Sequence, residues 1–459
     1  MKHLKLSKLV GIPEAKFVEL LQSDLIQYRS ARLIPLLKTG DEMALTSILL
    51  SAIRLVKEFR HLIFKELGLP KVGTFHFLTE VSFPEIGKER FDGLIVVIKS
   101  GKVVDALALE MKKGTEELTT DKMQVYQDLA RKLKIPKLVS VSNQFVSDSK
   151  QLPYPIKRYK AVDLYHFSWT YLLTLGRILL FKNQLNIADQ DQVEIMKEVL
   201  YYFEGDKSGV QSLMRMPSEW KALTEDIRAH KSISIKGPNE IKAVEGWYQM
   251  EKHLALKLSQ KLGVLVKTKS RSKDSVKADV QFVDKQNSIR TKLVVAHAIS
   301  DIVVEADFEK RNLKQTVSLT IPESGTNTAK VNWLIKQLQG AKKKKPGEFD
   351  ALYDSVFVEA YIKYQRKPVT VRVSQVEDLK KIHKSDELKS FKLYAVKDLG
   401  AKFTSQTGFL KSVEAFVNTF YGGYIQHLKN WSKPAPKIDP KKTNIEMGGK
   451  DIQGVALVD

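Results

Sequence analysis

The sequence predicts a mixed α/β protein: a layered domain whose elements run helix, three strands, helix, strand, followed by a separate α+β module. Three observations predict it. Across residues 43–68 the apolar residues Leu45, Ile48, Leu49, Ile53, Val56, Phe59 and Ile63 fall mostly at three- and four-residue intervals, the period of one helix face. Three strand-length apolar segments follow at 74–83, 91–99 and 103–112, the last two separated by the turn residues Ser100 and Gly101. A second helical period over 119–133 then leads through Pro136 into the apolar run 138–142, which reads as a buried strand.

Taken in order, residues 1–43 read as an N-terminal segment of short helices, one of them opening with Pro13 in its first turn. The long helix over 43–68 ends at Gly68. After the strand at 138–142, a further strand over 161–168 passes into a helix at 169–181, and another helix spans 191–203. The glycines at 205 and 209 mark a boundary, so the first domain is expected over 44–205. A basic α+β module is expected over 206–432, as a nucleic-acid-binding or partner domain. It begins with a helix at 244–262, and strands are then expected at 264–269, 276–283, 291–298, 302–308 and 315–321. A helix at 328–340, the lysine run 342–345, strands at 356–364 and 369–373, and helices at 376–382 and 405–420 complete it. Residues 433–459, rich in Pro, Lys and Gly and without periodicity, read as a flexible tail.

The chain has 459 residues, more than one ordinary core accommodates. It contains no cysteine, which rules out disulfides, thiolate metal sites and a cysteine nucleophile, and fits a reducing cytoplasm. No apolar stretch at the N-terminus resembles a secretory signal, and the most apolar helical run, 171–181, contains Arg177 and is too short to span a bilayer. Lys plus Arg number 75 against 53 Asp plus Glu, a formal charge of +22. That balance favours a polyanion held through phosphate contacts, with nucleic acid ahead of a membrane surface. A homo-oligomer or a partner protein is compatible with the same surface.

The chemistry lies in the second and third strands. Asp92 opens one, and Glu110 and Lys112 close its neighbour. Alternation places Glu110 and Lys112 on one face of the strand, with Leu107, Leu109 and Met111 on the other. Charges within so apolar a strand need partners or a metal ion. Whether Asp92 joins them depends on register. A strict two-residue turn at Ser100 and Gly101 places Asp92 opposite Leu109, on the wrong face; a three-residue loop over 100–102, or an equivalent bulge, places it opposite Glu110. The loop or bulge is the expected arrangement. Two carboxylates on one face favour a divalent ion such as Mg2+.

With Asp92 followed eighteen residues later by Glu110-Met111-Lys112 on a hairpin between two helices, residues 44–144 resemble the PD-(D/E)xK, restriction-endonuclease-like nuclease superfamily. The resemblance implies an α-β-β-β-α-β core, catalytic Asp92, Glu110 and Lys112, and Mg2+ or Mn2+ bound by Asp92 and Glu110. The proline before the first acid is missing, Phe91 standing there, and the Gln and Tyr that many relatives carry on the next helix are here Lys122 and Tyr126. Glu80 is a further candidate metal ligand; Lys113, Tyr126, Asn143 and Gln144 are candidate substrate contacts. The expected function is a Mg2+-dependent (endo)nuclease hydrolysing phosphodiester bonds, DNA ahead of RNA, in defence against foreign DNA or genome maintenance. The alternatives are a catalytically inactive nucleic-acid-binding protein on the same fold and a protein-interaction scaffold. The segment from Gly205 to Ser208 lacks the first glycine of a phosphate loop and reads as a turn, and His166 reads as a core residue.

Overall fold

A computed structural model describes residues 8–432 apart from 24, 31–32, 34–39, 115, 117, 147, 182–186, 211–214 and 270–272; the tail expected over 433–459 lies outside the described residues. The fold is mixed α/β with two sheets. The first part of the chain forms α1 (Glu14–Leu21), β1 (Gln27–Ser30), α2 (Glu42–Leu55), α3 (Lys57–Leu67), β2 (Thr74–Ser82), β3 (Arg90–Lys99), β4 (Lys102–Met111), α4 (Thr120–Lys132), β5 (Lys137–Ser142), β6 (Asp163–Ser168), α5 (Trp169–Leu179) and α6 (Gln190–Glu204). Its six strands lie in chain order, β1 to β4 antiparallel and β4, β5 and β6 parallel.

This sheet is covered on both faces. Ile95, Val97, Leu107 and Leu109 face a core shared with α2, α3, α5 and α6. Leu94, Val96, Ala106 and Ala108 face a second core with α1 and α4. A strand buried on both sides reads as a continuous apolar run, as β3 and β4 do. The segment before residue 43 is thus more than helical, since β1 adds the edge strand beside β2.

The helix expected over 43–68 is broken at Val56, which is fully buried and extended (φ −101°, ψ 104°). The break has a packing reason. Helix α2 is buried nearly all round, whereas α3 presents only Phe59, Ile63, Phe64 and Leu67, so one straight rod cannot seat both surfaces. Arg60 Nη1 donates to the carbonyl oxygens of Arg54 (2.7 Å) and Ile53 (3.3 Å), satisfying acceptors left at the end of α2.

The second part forms α7 (Ser218–Arg228), α8 (Pro238–Leu262), β7 (Lys267–Thr268), α9 (Lys273–Gln286), β8 (Ser288–Val294), β9 (Ile302–Asp307), β10 (Asn312–Thr320), α10 (Asn327–Lys344), α11 (Pro346–Asp350), β11 (Val356–Ile362), β12 (Val369–Arg372), β13 (Leu388–Asp398) and α12 (Gln406–Gly423). The sheet is antiparallel in the order β12-β11-β13-β10-β9-β8-β7. One face packs on the helices and the other is open, giving the strict alternation of buried and half-buried positions along β9, β10 and β11.

Several expectations for this part change. The strand expected at 276–283 is helix α9, because Val276, Val280 and Val283 share a helical face despite their β-branched character. The helix expected at 376–382 is a 3-10 segment kinked at Gln375. The strand expected over 264–269 is reduced to the two residues of β7. Strand β13 and helix α7 were not anticipated, although β13 is central, lying between β11 and β10. The lysine run ends α10, where ammonium groups complement the helix dipole, and Lys342 pairs with Asp350 at 3.0 Å. Among the described residues no helix is long and apolar enough to cross a membrane.

Candidate active site

The β3–β4 hairpin turns through two residues, Ser100 (φ 51°) and Gly101 (φ 68°), with Lys99 opposite Lys102. Both left-handed positions suit a tight turn matching the strand twist. The three-residue loop is therefore absent, and its role falls to a bulge. Ile98 pairs with Val103 but Val97 pairs with Asp105, so Val104 is the extra residue, pushed out to 41% exposure. The shift is supported from outside the hairpin: Gly11 N–H donates to Val103 O (2.8 Å) and Val103 N–H donates to Ile12 O (2.9 Å). Beyond the bulge Gly93 lies opposite Leu109, and continuing that register sets Asp92 opposite Glu110.

Asp92 and Glu110 thus share the face that looks toward α4. Asp92 Oδ2 accepts a 2.7 Å hydrogen bond from Met111 N–H, which ties the end of β3 to the end of β4. Burial, then the charge of Glu110, pushes the Asp92 carboxyl up to about 8, with the Met111 bond and Lys112 pulling the other way. Glu110 is fully buried, and Tyr126 is hydrogen-bonded to its side chain. Its carboxylate also meets two ammonium groups, Lys122 Nζ at 2.7 Å and Lys112 Nζ at 3.3 Å.

Lys112 is fixed along its whole length. Its N–H donates to Val141 O (2.8 Å) and its carbonyl accepts from Trp169 Nε1 (2.8 Å). Its Nζ donates to Met111 O (2.9 Å) and to Glu42 Oε1. Burial works against the ammonium, but Glu42, Glu110 and Asp92 outweigh it and raise its pKa above that of a free lysine.

Glu42 is the participant that sequence reasoning missed. It stands in the first turn of α2, capped by Asp41, whose side chain accepts from Met43 N–H (2.9 Å). Acids in a first turn are the ordinary complement to a helix dipole, so nothing in the sequence distinguished this one. Burial raises its pKa, Lys112 opposes that, and Glu116 and Glu110 add to it.

The remaining candidates separate. Tyr126 is buried on α4, where burial and the neighbouring Glu110 and Asp92 raise its phenol pKa. Lys122 lies over its ring at 5.5 Å. Glu80, expected as a metal ligand or a solvent-facing strand residue, is buried; Thr79 pairs with Gly93 and Val81 with Phe91, so Glu80 falls beside Asp92 in the β2–β3 register. It is 7% exposed, adopts a left-handed backbone (φ 55°), and forms a 2.6 Å ion pair with Arg90. Lys113 donates from Nζ to Gly40 O (2.5 Å), and Asn143 donates to Gly114 O (2.8 Å) and Gly209 O (3.0 Å). Both tie loops together. Gln144 offers its carbonyl to His166 Nε2 (3.0 Å), and His166 is also bonded to Ser140 (2.9 Å), the core role expected of it. Burial lowers the His166 pKa to about 4, so the ring is neutral.

The donor set fits a hard divalent cation. The buried Glu110 oxygens and the raised Asp92 carboxyl are both groups that a dication would stabilise in the charged form. Among the described residues no three acidic or histidine side chains are gathered for ligation; Mg2+ is commonly bound by one or two carboxylates and water. Neither a protein-family model nor a curated protein matches the chain.

Proposed function

We propose that this protein is a Mg2+- or Mn2+-dependent nuclease with a PD-(D/E)xK-type site, its first sheet and flanking helices forming a restriction-endonuclease-like core. The observation that carries the reading is the bulged hairpin, which sets Asp92 opposite Glu110 two residues before Lys112. Asp92 and Glu110 would hold the cation, which when bound orients water and offsets charge on the scissile phosphate. Lys112, kept protonated by its acidic neighbours, acts as a cation that stabilises negative charge on the phosphate in the transition state rather than as a general base. Glu42 positions Lys112. In the reaction a water oxygen bonds to phosphorus as the bond from phosphorus to a sugar oxygen breaks; the water gives up one proton and the leaving oxygen takes up one from solvent, so a phosphomonoester and a free hydroxyl result. The basic chain holds the polyanionic substrate, DNA ahead of RNA. A role in defence against foreign DNA or in genome maintenance, in the cytoplasm, fits this chemistry.

A second reading rests on Lys122. Its ammonium on Glu110 is the arrangement of a metal-free ion-pair network, as in a protein that binds nucleic acid without cutting it. One experiment separates the two. The protein and its Lys112→Ala variant are incubated with supercoiled plasmid, linear duplex, single-stranded DNA and RNA, in Mg2+, Mn2+ or chelator. Metal-dependent cleavage that disappears in the variant supports the nuclease; binding without cleavage in any metal rejects it in favour of the second reading.

A further inference from the structure

The open face of the second sheet departs from the usual rule that outward strand positions are polar. On β11 and β13 the inward positions Val356, Val358, Ala360, Leu393 and Ala395 are buried and aliphatic. The outward positions carry rings: Phe357 and Tyr361 on β11, and Tyr394 on β13. Phe357 and Tyr394, directly paired across the strands, stack with centroids 5.1 Å apart and planes 13° from parallel. Tyr364, just past the end of β11, is 94% exposed.

Each ring carries a cation. Lys314 lies 4.0 Å from the Tyr394 centroid, Lys392 lies 4.5 Å from Tyr361, Arg372 lies 5.8 Å from Phe357, and Lys363 lies 5.4 Å from Tyr364. Arg366 and Lys367 extend the positive charge along the exposed β11–β12 loop. Two acids lie among these groups: Glu359 is engaged by Tyr361 Oη (2.8 Å) and Lys314 (4.0 Å), and Glu387 pairs with Lys363 (2.7 Å). On the other half of the face, acid and base are closer to balance: Arg290 pairs with Glu305 at 3.1 Å. Positive charge and aromatic surface therefore coincide at the β13-β11-β12 end.

We propose that this aromatic, basic end of the sheet binds single-stranded nucleic acid, with bases stacking on Phe357, Tyr361 and Tyr394 and the backbone running along Lys314, Lys392 and Arg372. Stacking on a sheet needs unpaired bases with free π-faces, which a duplex withholds, and it tolerates any sequence. The proposal deepens the nuclease reading by naming a substrate class, and rests on it for the idea that the bound strand is also the strand cut.

The test uses the full chain in chelator, so that no cleavage intervenes. Anisotropy of fluorescein-labelled 20-nucleotide oligothymidine, 20-nucleotide oligouridine and a 20-base-pair DNA duplex is followed across a salt series. The wild type is expected to bind the single strands more tightly than the duplex, with affinity falling as salt rises. Phe357→Ala/Tyr394→Ala is expected to weaken single-strand binding by about tenfold or more and to leave duplex binding unchanged. Phe357→Tyr/Tyr394→Phe, which keeps the rings, is expected to retain it. The exposed Tyr364→Ala and Lys392→Gln provide the same reading without touching the core, each expected to weaken single-strand binding. Comparison of oligothymidine with oligouridine tells DNA from RNA. Equal affinity for duplex, absence of single-strand binding, or binding indifferent to the rings overturns the proposal. Cleavage of plasmid and single-stranded DNA by the wild type in Mg2+ is measured separately from binding in chelator, so failure of the nuclease reading and failure of the binding proposal are told apart.

Discussion

The two sheets treat charge in opposite ways. In the first, β3 and β4 are covered on both faces, and the charged groups Asp92, Glu110 and Lys112 sit where protein rather than water must answer them. In the second, one face is open, and Lys314, Lys392, Glu305 and Glu359 stay in contact with water at little cost. Charge on the open face is cheap and ambiguous as a sign of function. Charge in the covered sheet is costly, and its arrangement is therefore informative. The first sheet holds its own control: Lys137 and Asp105, at the other end of β4, form a balanced pair at 2.7 Å. The Asp92 end is unbalanced, with Glu42, Asp92 and Glu110 gathered around Lys112 and Lys122.

The largest effect is expected at the unbalanced end. Glu110→Gln keeps shape and burial while removing a charge, and is expected to lower metal-dependent cleavage by roughly a hundredfold or more, the scale of losing one group that stabilises transition-state charge. Glu359→Gln on the open face is expected to leave the cleavage rate within about twofold. Plasmid nicking measured for both checks this. Equal rates for Glu110→Gln and the wild type would break the comparison.

Next comes the balanced pair. Lys137→Met leaves Asp105 buried without its cation, and breaking a buried pair from one side costs about 3–5 kcal/mol. Urea denaturation should show that loss, while cleavage per folded molecule stays unchanged. A loss of cleavage without loss of stability would mean that burial alone does not distinguish structural from functional charge.

Much of this was legible in the sequence, and the limits have physical causes. The helix, three strands, helix, strand order was readable because β3 and β4 are long apolar runs and α4 keeps a clean period. The facing of Asp92 and Glu110 was readable only as a condition, because register depends on Val104, a residue whose type does not announce a bulge. Glu42 was invisible because the packing of α2 against β2 and β3, not sequence distance, brings it to Lys112. In the second sheet β-branched residues misled at α9, and β13 was passed over though Leu393 and Ala395 alternate with Lys392 and Tyr394. An alternation broken by lysines and tyrosines looks like a solvated segment unless its outward rings are read as a feature.

The third effect is one of pH. Asp92 titrates near 8 in the folded protein against an ordinary 3.8, so between those values the folded state holds a proton that the unfolded state has lost. Stability in chelator is therefore expected to fall as pH rises from about 4 toward 8 on account of this group. His166 acts oppositely: its folded value near 4 lies below the ordinary 6.5, so its contribution is lost as pH falls from 6.5 toward 4. Asp92→Asn, neutral at every pH, is expected to be more stable than the wild type at pH 8 in chelator, on the order of 1–3 kcal/mol, and to lose that advantage at pH 5. Thermal melts of both proteins at the two pH values test this. An advantage that does not change with pH would place the strain in packing rather than charge.

The smallest effect belongs to the open face. Arg290 and Glu305 approach to 3.1 Å with the arginine side chain 51% exposed, and the guanidinium lies 5.0 Å from the Phe282 ring. An exposed pair gains little Coulomb energy in water and holds two flexible side chains in one geometry, so such pairs contribute about 0–1 kcal/mol. Arg290→Ala is accordingly expected to destabilise by less than about 1 kcal/mol, and Arg290→Gln by less still, because its stem keeps part of the contact with Phe282. Raising salt should shrink the difference between Arg290→Gln and the wild type, since exposed charges are screened within about 10 Å at 0.1 M. A cost for Arg290→Ala as large as that of Lys137→Met, unaffected by salt, would mean that the open face is covered in solution and that its charges are as constrained as those beside Asp92.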